Sequence, residues 1–392
     1  MKILKYLAVA ALASATFTAA AADYDALVLR ALSRGYGFRA DSLRLASEAA
    51  AVSAENVLPG PEAEFEHLWP AASDGRVKWN VGLSQGFDWP GLYGARRDLA
   101  GAAGTLAEAA SQSMALDRAF TVKNLIVDVI NARRRIQLFT RVLENVSRID
   151  SLVAVAYELK DATMLDVRKM NLAVLDSRSQ LDMAMGDFES LVASLDGYGI
   201  DVRNALSWTD YPEQNAASVD PDSDFGSLAA LDAARRASAS ASERVARLSA
   251  LPSFSLGFRH AYEEGTHFNG LAVSITLPSW SASSRRRASE LQALAVGADY
   301  DAEHAAAVSE TRGVYSLSRT LAESMERYRA LTGNDDYLTL AAEVFDSGEM
   351  TVIEYVTEVN NFLAARLRYL DLEYRYQLAL VRLNRYRTAL FR

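Results

Sequence analysis

Alternating apolar and polar positions predict four short strands, arranged as two pairs about 190 residues apart. In Val77–Trp89, apolar side chains occupy nearly every second place and small or polar residues lie between them. Gly270–Leu277 repeats this alternation in the same phase. Another alternating segment precedes each of these two in the chain, and each begins directly after a proline. These earlier segments are Glu62–Trp69 and Ser253–Tyr262. Period-two alternation is typical of strands with two different faces.

Two long stretches without proline predict very long helices. All eight prolines lie outside Gly91–Tyr211 and Ser279–Arg392. Proline removes a helix hydrogen bond and clashes with the preceding turn, so its absence permits helices of unusual length. Apolar residues in both stretches recur in steps of three and four, as in coiled-coil seams. The predicted seams are Leu125, Val129, Ala132, Ile136, Phe139, Leu143 and Val146, and then Ile353, Val356, Asn360, Leu363, Leu367, Leu370 and Tyr374.

Both helical stretches are interrupted once, at matching positions. The interruptions are Tyr157–Thr163 and Asp346–Glu349. A threonine with an acidic residue three places later, which is a helix-start signal, marks the next helix in each case. We therefore expect a long helical hairpin in each half of an internally duplicated chain. The predicted organisation is a signal peptide (1–22), a first repeat (23–204), a linker (205–226) and a second repeat (227–392).

The N-terminal segment has the three parts of a signal peptide. Lys2 and Lys5 are basic, Leu7–Phe17 is apolar, and Ala20–Ala22 provides a small-residue cleavage site. The chain is therefore expected to be exported. No later segment has the roughly 18 consecutive apolar residues of a membrane-spanning helix, so a membrane location would require strands.

Charge and composition exclude several function classes. The formal net charge is −9, and removal of the leader makes it more negative still, which argues against nucleic acid as a partner. The chain has no cysteine, so neither a disulfide nor a lipid-modified N-terminal cysteine is possible. No phosphate-cradling loop or cofactor fingerprint occurs, and no cofactor is expected.

The strand pattern leaves two interpretations open. Strands of about ten residues with an apolar face and a small or polar face fit a transmembrane barrel, but they also fit a half-buried soluble sheet. The polar links 70–76 and 263–268 suit solvent-exposed hairpin loops in either case. Open sheet edges are not tolerated in lipid, so the membrane interpretation requires several chains to pool their strands.

Three motifs and the internal duplication resemble the TolC-like outer-membrane efflux protein family. The motifs are the start of the third strand at Leu251–Phe258, the strand end Ile275–Pro278 before an arginine-rich helix start, and Gly348–Val356. The resemblance covers essentially the whole chain after the leader. It implies a mainly α fold with a small β part, in a trimer that forms a 12-stranded outer-membrane β-barrel and a periplasmic α-helical tunnel.

The resemblance also implies the location and the partners of the chain. Members of this family lie in the outer membrane, contact its lipid and extend into the periplasm. They dock onto an inner-membrane transporter through a periplasmic adaptor, and they conduct drugs, metal ions or polypeptides.

A set of site residues follows from the same resemblance. The acidic ring that narrows the tunnel corresponds to Glu354, and a second acidic ring of some members corresponds to Thr357. Asp166 matches a carboxylate that helps hold the closed state. The residues that clasp it elsewhere correspond to Phe345 and Met350, which cannot form a salt bridge, so we expect a hydrophobic or looser closure. The alternative for Glu354 and Asp166 is that each is a first-turn acid that stabilises a helix dipole.

Further candidates come from the residues alone. Glu62, Glu64 and Glu66 alternate onto the polar strand face, where they would line a barrel lumen and favour cations, or form a soluble acidic edge. Ser84 lies in a Gly-x-Ser-x-Gly pattern, but inside an alternating strand and not at the sharp turn that a nucleophile needs. His260 and His267 could bind a metal or lie in a solvated loop.

Three functions compete at this point. The leading hypothesis is a passive export duct of a tripartite efflux or type I secretion system, with no catalytic residues. The alternative is a soluble periplasmic coiled-coil adaptor or scaffold, against which the in-phase strand pairs count. An enzyme would rest on Ser84 alone.

Overall fold

A computed structural model describes most of the chain. The described residues are 24–34, 36–69, 77–200, 208, 210–212, 225–277, 282–332 and 337–386. The predicted signal peptide, the link 70–76 and most of the predicted linker 205–226 lie outside them. The division into two repeats at that linker therefore stays a prediction.

Within the described residues the chain forms eight helices and four strands. The helices are α1 (Tyr24–Arg34), α2 (Tyr36–Ala54), α3 (Pro90–Glu158), α4 (Met164–Gly197), α5 (Gly226–Leu248), α6 (Ala282–Thr332), α7 (Tyr337–Asp346) and α8 (Val352–Leu383), and the strands are β1 (Pro61–Leu68), β2 (Lys78–Phe87), β3 (Ser253–Glu263) and β4 (Thr266–Thr276). The helix α3 has 69 residues, which corresponds to roughly 100 Å of unbroken helix. The prediction of very long helices is confirmed.

The chain divides into two compact units. One consists of the described residues within Met1–Arg39, Met114–Phe225 and Ala307–Arg392, and the other of those within Ala40–Ser113 and Gly226–Ala306. The first unit contains the hairpin α7–α8 and, from Met114 onwards, the hairpin α3–α4. The second contains the sheet and the helix segments that lead into and out of it.

The core of the helical unit is built largely on α3, whose buried positions include most of the predicted seam. Val129, Ala132, Ile136, Phe139 and Val146 are buried, as the predicted seam requires. Leu125 and Leu143 of that seam are only half-buried. The first proposed seam is therefore largely correct.

The predicted seam of α8 is partly wrong. Ile353 and Asn360 are exposed, whereas Val352, Tyr355 and Val359 are buried against the core. Steps of three and four describe two adjacent stripes of this helix equally well, because apolar residues occupy both. Only packing against α3 decides which stripe is inside.

The four strands form one antiparallel sheet in the order β1-β2-β3-β4. Its register places the predicted apolar positions in common cross-strand rows, such as Ala63, Leu83, Phe258 and Leu271. The β3–β4 link is shorter than predicted, because strand pairing continues to Glu263 and Thr266. The two turn residues, Glu264 and Gly265, have positive φ values of 48° and 87°, as in the tight type I′ hairpin turn.

The apolar face of the sheet is exposed. Phe65 is 70% exposed, Leu83 61%, Phe258 51% and Leu271 82%. A half-buried soluble sheet would turn these side chains into a core, and the described chain provides no core beneath them. The half-buried interpretation is therefore wrong for a single chain, and this face needs a cover from outside it.

At Gly257 the strands β2 and β3 approach each other closely. A Cβ at this position would lie 2.8 Å from the backbone oxygen of Leu83 and 2.8 Å from the Cβ of Ser84. At Gly270, on the same sheet face, a Cβ would meet nothing within 4 Å.

We expect Gly257→Ala to lower the free energy of unfolding by about 1–3 kcal/mol, because the added methyl overpacks the β2–β3 contact. Chemical unfolding of the purified protein measures this change. Gly270→Ala is the matched control and should have little effect. Equal destabilisation by the two substitutions would contradict the close approach.

Candidate functional site

The two helical hairpins turn with the same hydrogen-bond pattern. After α3, the amide of Lys160 donates to the Tyr157 carbonyl at 3.0 Å, and that of Asp161 to the Ala156 carbonyl at 2.8 Å. After α7, Gly348 donates to Phe345 at 3.0 Å, and Glu349 to Val344 at 3.2 Å. Lys160 and Gly348 adopt positive φ values of 69° and 77°. Both ends have the pattern of a Schellman motif.

A capping box begins the next helix after each turn. The Asp166 carboxylate accepts hydrogen bonds from the Thr163 amide at 3.1 Å and the Thr163 hydroxyl at 2.6 Å. The Glu354 carboxylate accepts from the Thr351 amide and hydroxyl, both at 2.8 Å. The helix-start signals at both threonines are confirmed. The two candidate gating carboxylates are therefore both engaged in helix capping in the single chain.

These hydrogen bonds lower the pKa of both carboxyl groups. For Asp166 the first cause is the Thr163 hydroxyl, followed by the Thr163 amide. For Glu354 the amide of Thr351 comes first and its hydroxyl second. Each bond stabilises the ionised form. Repulsion among three Glu354 carboxylates in a ring would act in the opposite direction and would have to overcome this local lowering of the pKa.

The other predicted gate residues lie around the α7–α8 turn. Phe345 packs its ring on that of Tyr355, with centroids 5.4 Å apart, and Met350 packs against the same core. Thr357 is exposed, and its hydroxyl donates to the Ile353 carbonyl at 2.8 Å. The hydrogen bonds of Asp166 run to Thr163, not to any of these residues. Whether Phe345 and Met350 form a hydrophobic closure stays a prediction.

A polar link between α3 and the α7–α8 turn was missed at the sequence level. The Tyr355 ring is fully buried and its hydroxyl donates to Asn145. Burial raises the pKa of this hydroxyl, so it remains a protonated donor. Nearby, Arg148 forms a salt bridge of 3.0 Å with Asp346. The sequence contained one signal for this link: Asn145 and Arg148 are three residues apart and therefore lie on one face of α3.

A groove runs between α3, α4 and α8. Its part nearest the turns has a volume of about 400 Å³ and is lined by Leu172, Ile353 and Thr357 among others. The adjoining part measures about 710 Å³ and contains Asp128. The Tyr374 hydroxyl donates to Asp128 at 2.9 Å. Thr357 and Ile353, predicted as gate and seam residues, therefore face this groove.

The polar face of the sheet carries the three predicted lumen glutamates. Glu64 forms a salt bridge of 3.0 Å with Arg259 on β3, and Glu66 accepts from the Asn80 amide at 2.6 Å. No partner is seen for Glu62 among the described residues. Arg259 thus partly neutralises the negative charge of this face. The alternation of side-chain direction along β3 could have predicted that Arg259 lies on the same face as the glutamates.

Ser84 does not lie at a catalytic turn, and the histidines belong to no cluster of three or more metal ligands among the described residues. Ser84 lies inside β2, paired with Glu62 on one side and Gly257 on the other, so no sharp turn presents it as a nucleophile. The described part of the chain contains no group of three or more His, Cys, Asp or Glu residues that could hold a metal ion. His260 and His267 lie in paired strands and not in a loop, and they contact each other.

Among the described residues, no helix is both long and apolar enough to cross a membrane.

The chain has the fold of outer-membrane channel proteins. A membrane protein from Pseudomonas aeruginosa matches with a TM-score of 0.71 and 20% identity, over 93% of this chain and 90% of that chain. The Campylobacter jejuni CmeC outer membrane channel matches with a TM-score of 0.69 and 15% identity, over 92% and 84%. The open state of the Neisseria gonorrhoeae MtrE outer membrane channel matches with a TM-score of 0.65 and 16% identity, over 92% and 88%.

The sequence comparisons add nothing to this likeness, since no protein-family model and no curated protein sequence matches the chain. The resemblance to the TolC-like family, drawn from three motifs and a duplication, is confirmed at the level of the fold.

We expect the first turns of α4 and α8 to fray in acid. The folded pKa values of Asp166 and Glu354 lie below their ordinary values. The capping contribution is therefore complete above the ordinary carboxyl pKa and is lost as the pH falls through the lowered one. Amide hydrogen exchange, corrected for intrinsic rates, should show falling protection between about pH 5 and pH 3.

The control for this experiment is Glu354→Gln, which removes the titrating carboxyl group. It should abolish the pH dependence at α8 and leave that at α4 intact. Protection that does not change with pH at either turn would contradict the assigned role of the carboxylates.

Proposed function

We propose that this chain is a subunit of a passive export duct that crosses the outer membrane and the periplasm. The observation that carries the proposal is the exposed apolar face of the sheet, which extends across all four strands. Burial in lipid would remove this apolar surface from water. The polar face, with its glutamates, Asn80 and Arg259, would then line an aqueous lumen.

The duct requires three copies of the chain. In the sheet order β1-β2-β3-β4, the outer edges of β1 and β4 have no strand partner among the described residues. Unpaired backbone groups are not tolerated in lipid. Pairing of β4 in one copy with β1 in the next would satisfy both edges, and three copies would give a barrel of 12 strands. This assembly agrees with the location implied by the fold likeness.

The helical hairpins would form the periplasmic part of the duct. Apolar side chains remain exposed on α4 and α8 beside the turns, including Leu165, Leu172 and Ile353. Contact with a neighbouring copy would cover them. The turns would then lie together at one end of the tunnel, where a periplasmic adaptor and an inner-membrane transporter would dock. The transporter would supply the energy for an efflux or type I secretion system.

The rival proposal, a soluble periplasmic adaptor or scaffold, has less support. It would also use long helical hairpins, but it must explain an apolar sheet face that the described part of the chain leaves uncovered. An enzymatic function has no support from Ser84, which lies within a paired strand.

Gating is proposed at the hairpin turns. Three copies of Glu354 and Thr357 would encircle the pore axis. Asp166 would lie on the neighbouring hairpins, and Phe345 and Met350 would lie at the α7–α8 turn. Glu354 is exposed on the first turn of α8. A ring of three such carboxylates would favour cations.

The proposed assembly is tested by native mass spectrometry of the protein extracted from membranes. We expect a trimer that requires detergent, because the apolar faces need a replacement for lipid. A monomer or dimer that stays soluble without detergent would overturn the duct and favour the adaptor or scaffold.

Glu354 has two roles in this proposal, and a pair of variants separates them. Glu354→Gln removes the charge, while Thr351→Ala weakens the capping box and keeps the carboxylate. In single-channel recordings in lipid bilayers, Glu354→Gln should weaken the cation preference severalfold, and Thr351→Ala should preserve it. Equal losses of cation preference in both variants would show that Glu354 acts only as a helix cap. Unchanged selectivity in both would refute the charged constriction.

A further inference from the structure

Two histidines meet across the β3–β4 hairpin. His260 on β3 is the register partner of Asn269, and His267 on β4 is the partner of Tyr262, so the two imidazoles are diagonal neighbours on one sheet face. His267 Nδ1 lies 3.2 Å from His260 Nε2, and the ring planes are inclined by 27° with centroids 5.2 Å apart. The tight Glu264–Gly265 turn holds these two positions in register.

The tautomer of His260 is fixed by Asn269. His260 Nδ1 lies 2.7 Å from Asn269 Oδ1, which can only accept a hydrogen bond. Nδ1 therefore carries the proton, and the lone pair of Nε2 points away from the amide. A hydrogen bond from the second ring nitrogen to a carbonyl or carboxylate is the usual support of a metal-binding histidine.

We propose that His260 Nε2 and His267 Nδ1 together bind one divalent first-row transition metal ion. At the usual metal–nitrogen distance of about 2.0–2.1 Å, nitrogens 3.2 Å apart subtend an angle of about 100° at the metal. This value lies between the angles of square-planar and tetrahedral sites. Imidazole ligands suit Cu²⁺, Ni²⁺ and Zn²⁺, of which Cu²⁺ binds most tightly.

Metal binding needs only a local change. Without metal, His267 Nδ1–H donates to His260 Nε2. On binding, the His267 proton moves to its own Nε2, and its ring tilts so that both lone pairs converge on the ion. His267 is exposed, and the outer torsion of histidine is soft. Water would complete the coordination, because the described residues supply no third clustered ligand.

The surroundings of the pair favour an oriented site. Trp79 and Tyr262 stack with centroids 5.8 Å apart and flank the pair, with Trp79 5.5 Å from His260 and Tyr262 5.1 Å from His267. These rings restrict the motion of both imidazoles. The site depends only on the β3–β4 hairpin and its β2 neighbour, so it does not rest on the proposed duct.

The composition of the chain makes a direct test possible. It has four histidines and no cysteine, so no thiolate competes for the metal and only His67 and His304 could replace the pair as imidazole ligands. The full chain should be purified in detergent with a tag that lacks histidine. Titration with Cu²⁺ alone in a non-coordinating buffer then gives the stoichiometry and affinity, and electron paramagnetic resonance counts the bound nitrogens.

We expect one Cu²⁺ per chain with two equatorial imidazole nitrogens. His260→Gln and His267→Gln should each lower the affinity at least tenfold and remove the two-nitrogen signature. Asn269→Leu should lower it about 10- to 100-fold through loss of the orienting hydrogen bond. His67→Gln and His304→Gln are the matched controls and should bind as the wild type does.

Two results would overturn the site. One is that the double variant His260→Gln/His267→Gln binds Cu²⁺ as tightly as the wild type does. This result would assign the ion to surface carboxylates. The other is a spectrum without imidazole nitrogens. If His260→Gln fails to fold, His267→Gln decides the question alone, because its side chain is exposed.

Discussion

A sheet whose apolar face has no cover among the described residues is the constraint on which the rest of this structure depends. Phe65, Leu83, Phe258 and Leu271 are more than half exposed, and burying such side chains is the main favourable contribution to folding. The same sheet ends in two outer edges, β1 and β4. An apolar face and open edges together favour an environment in which lipid covers the face and further copies of the chain pair with the edges.

The opposite face of the sheet has the chemistry that this arrangement requires. Glu64 and Glu66 meet Arg259 and Asn80, which gives charged and amide groups partners across the strands. Partial neutralisation by Arg259 would temper the cation preference that three glutamates alone would produce. The histidine pair, in contrast, lies on the apolar face at the hairpin end, where the aromatic rings of Trp79 and Tyr262 surround it.

The hairpin turns combine local capping with long-range packing. Asp166 and Glu354 complete capping boxes with threonines three residues away, an interaction that requires only adjacent sequence. Tyr355 and Asn145 are 210 residues apart and meet only because α3 and α8 pack together. The turn at α8 is therefore stabilised both by its own sequence and by the helix beside it. A gating role for Glu354 would be added to its capping role and would not replace it.

The sequence by itself determined the elements that depend on local geometry. Strand alternation, proline-free helices, two matching turns and both capping boxes followed from spacing, because side-chain direction and backbone hydrogen bonding repeat with fixed periods. It also indicated the fold through its resemblance to a known family. Tertiary structure alone decided the buried stripe of α8, since Val352 and Ile353 fit the same period. It also decided the exposure of the apolar sheet face and the pairs Arg148–Asp346, Glu64–Arg259 and His260–His267. Contacts between separate elements depend on register and packing, which local periodicity does not encode.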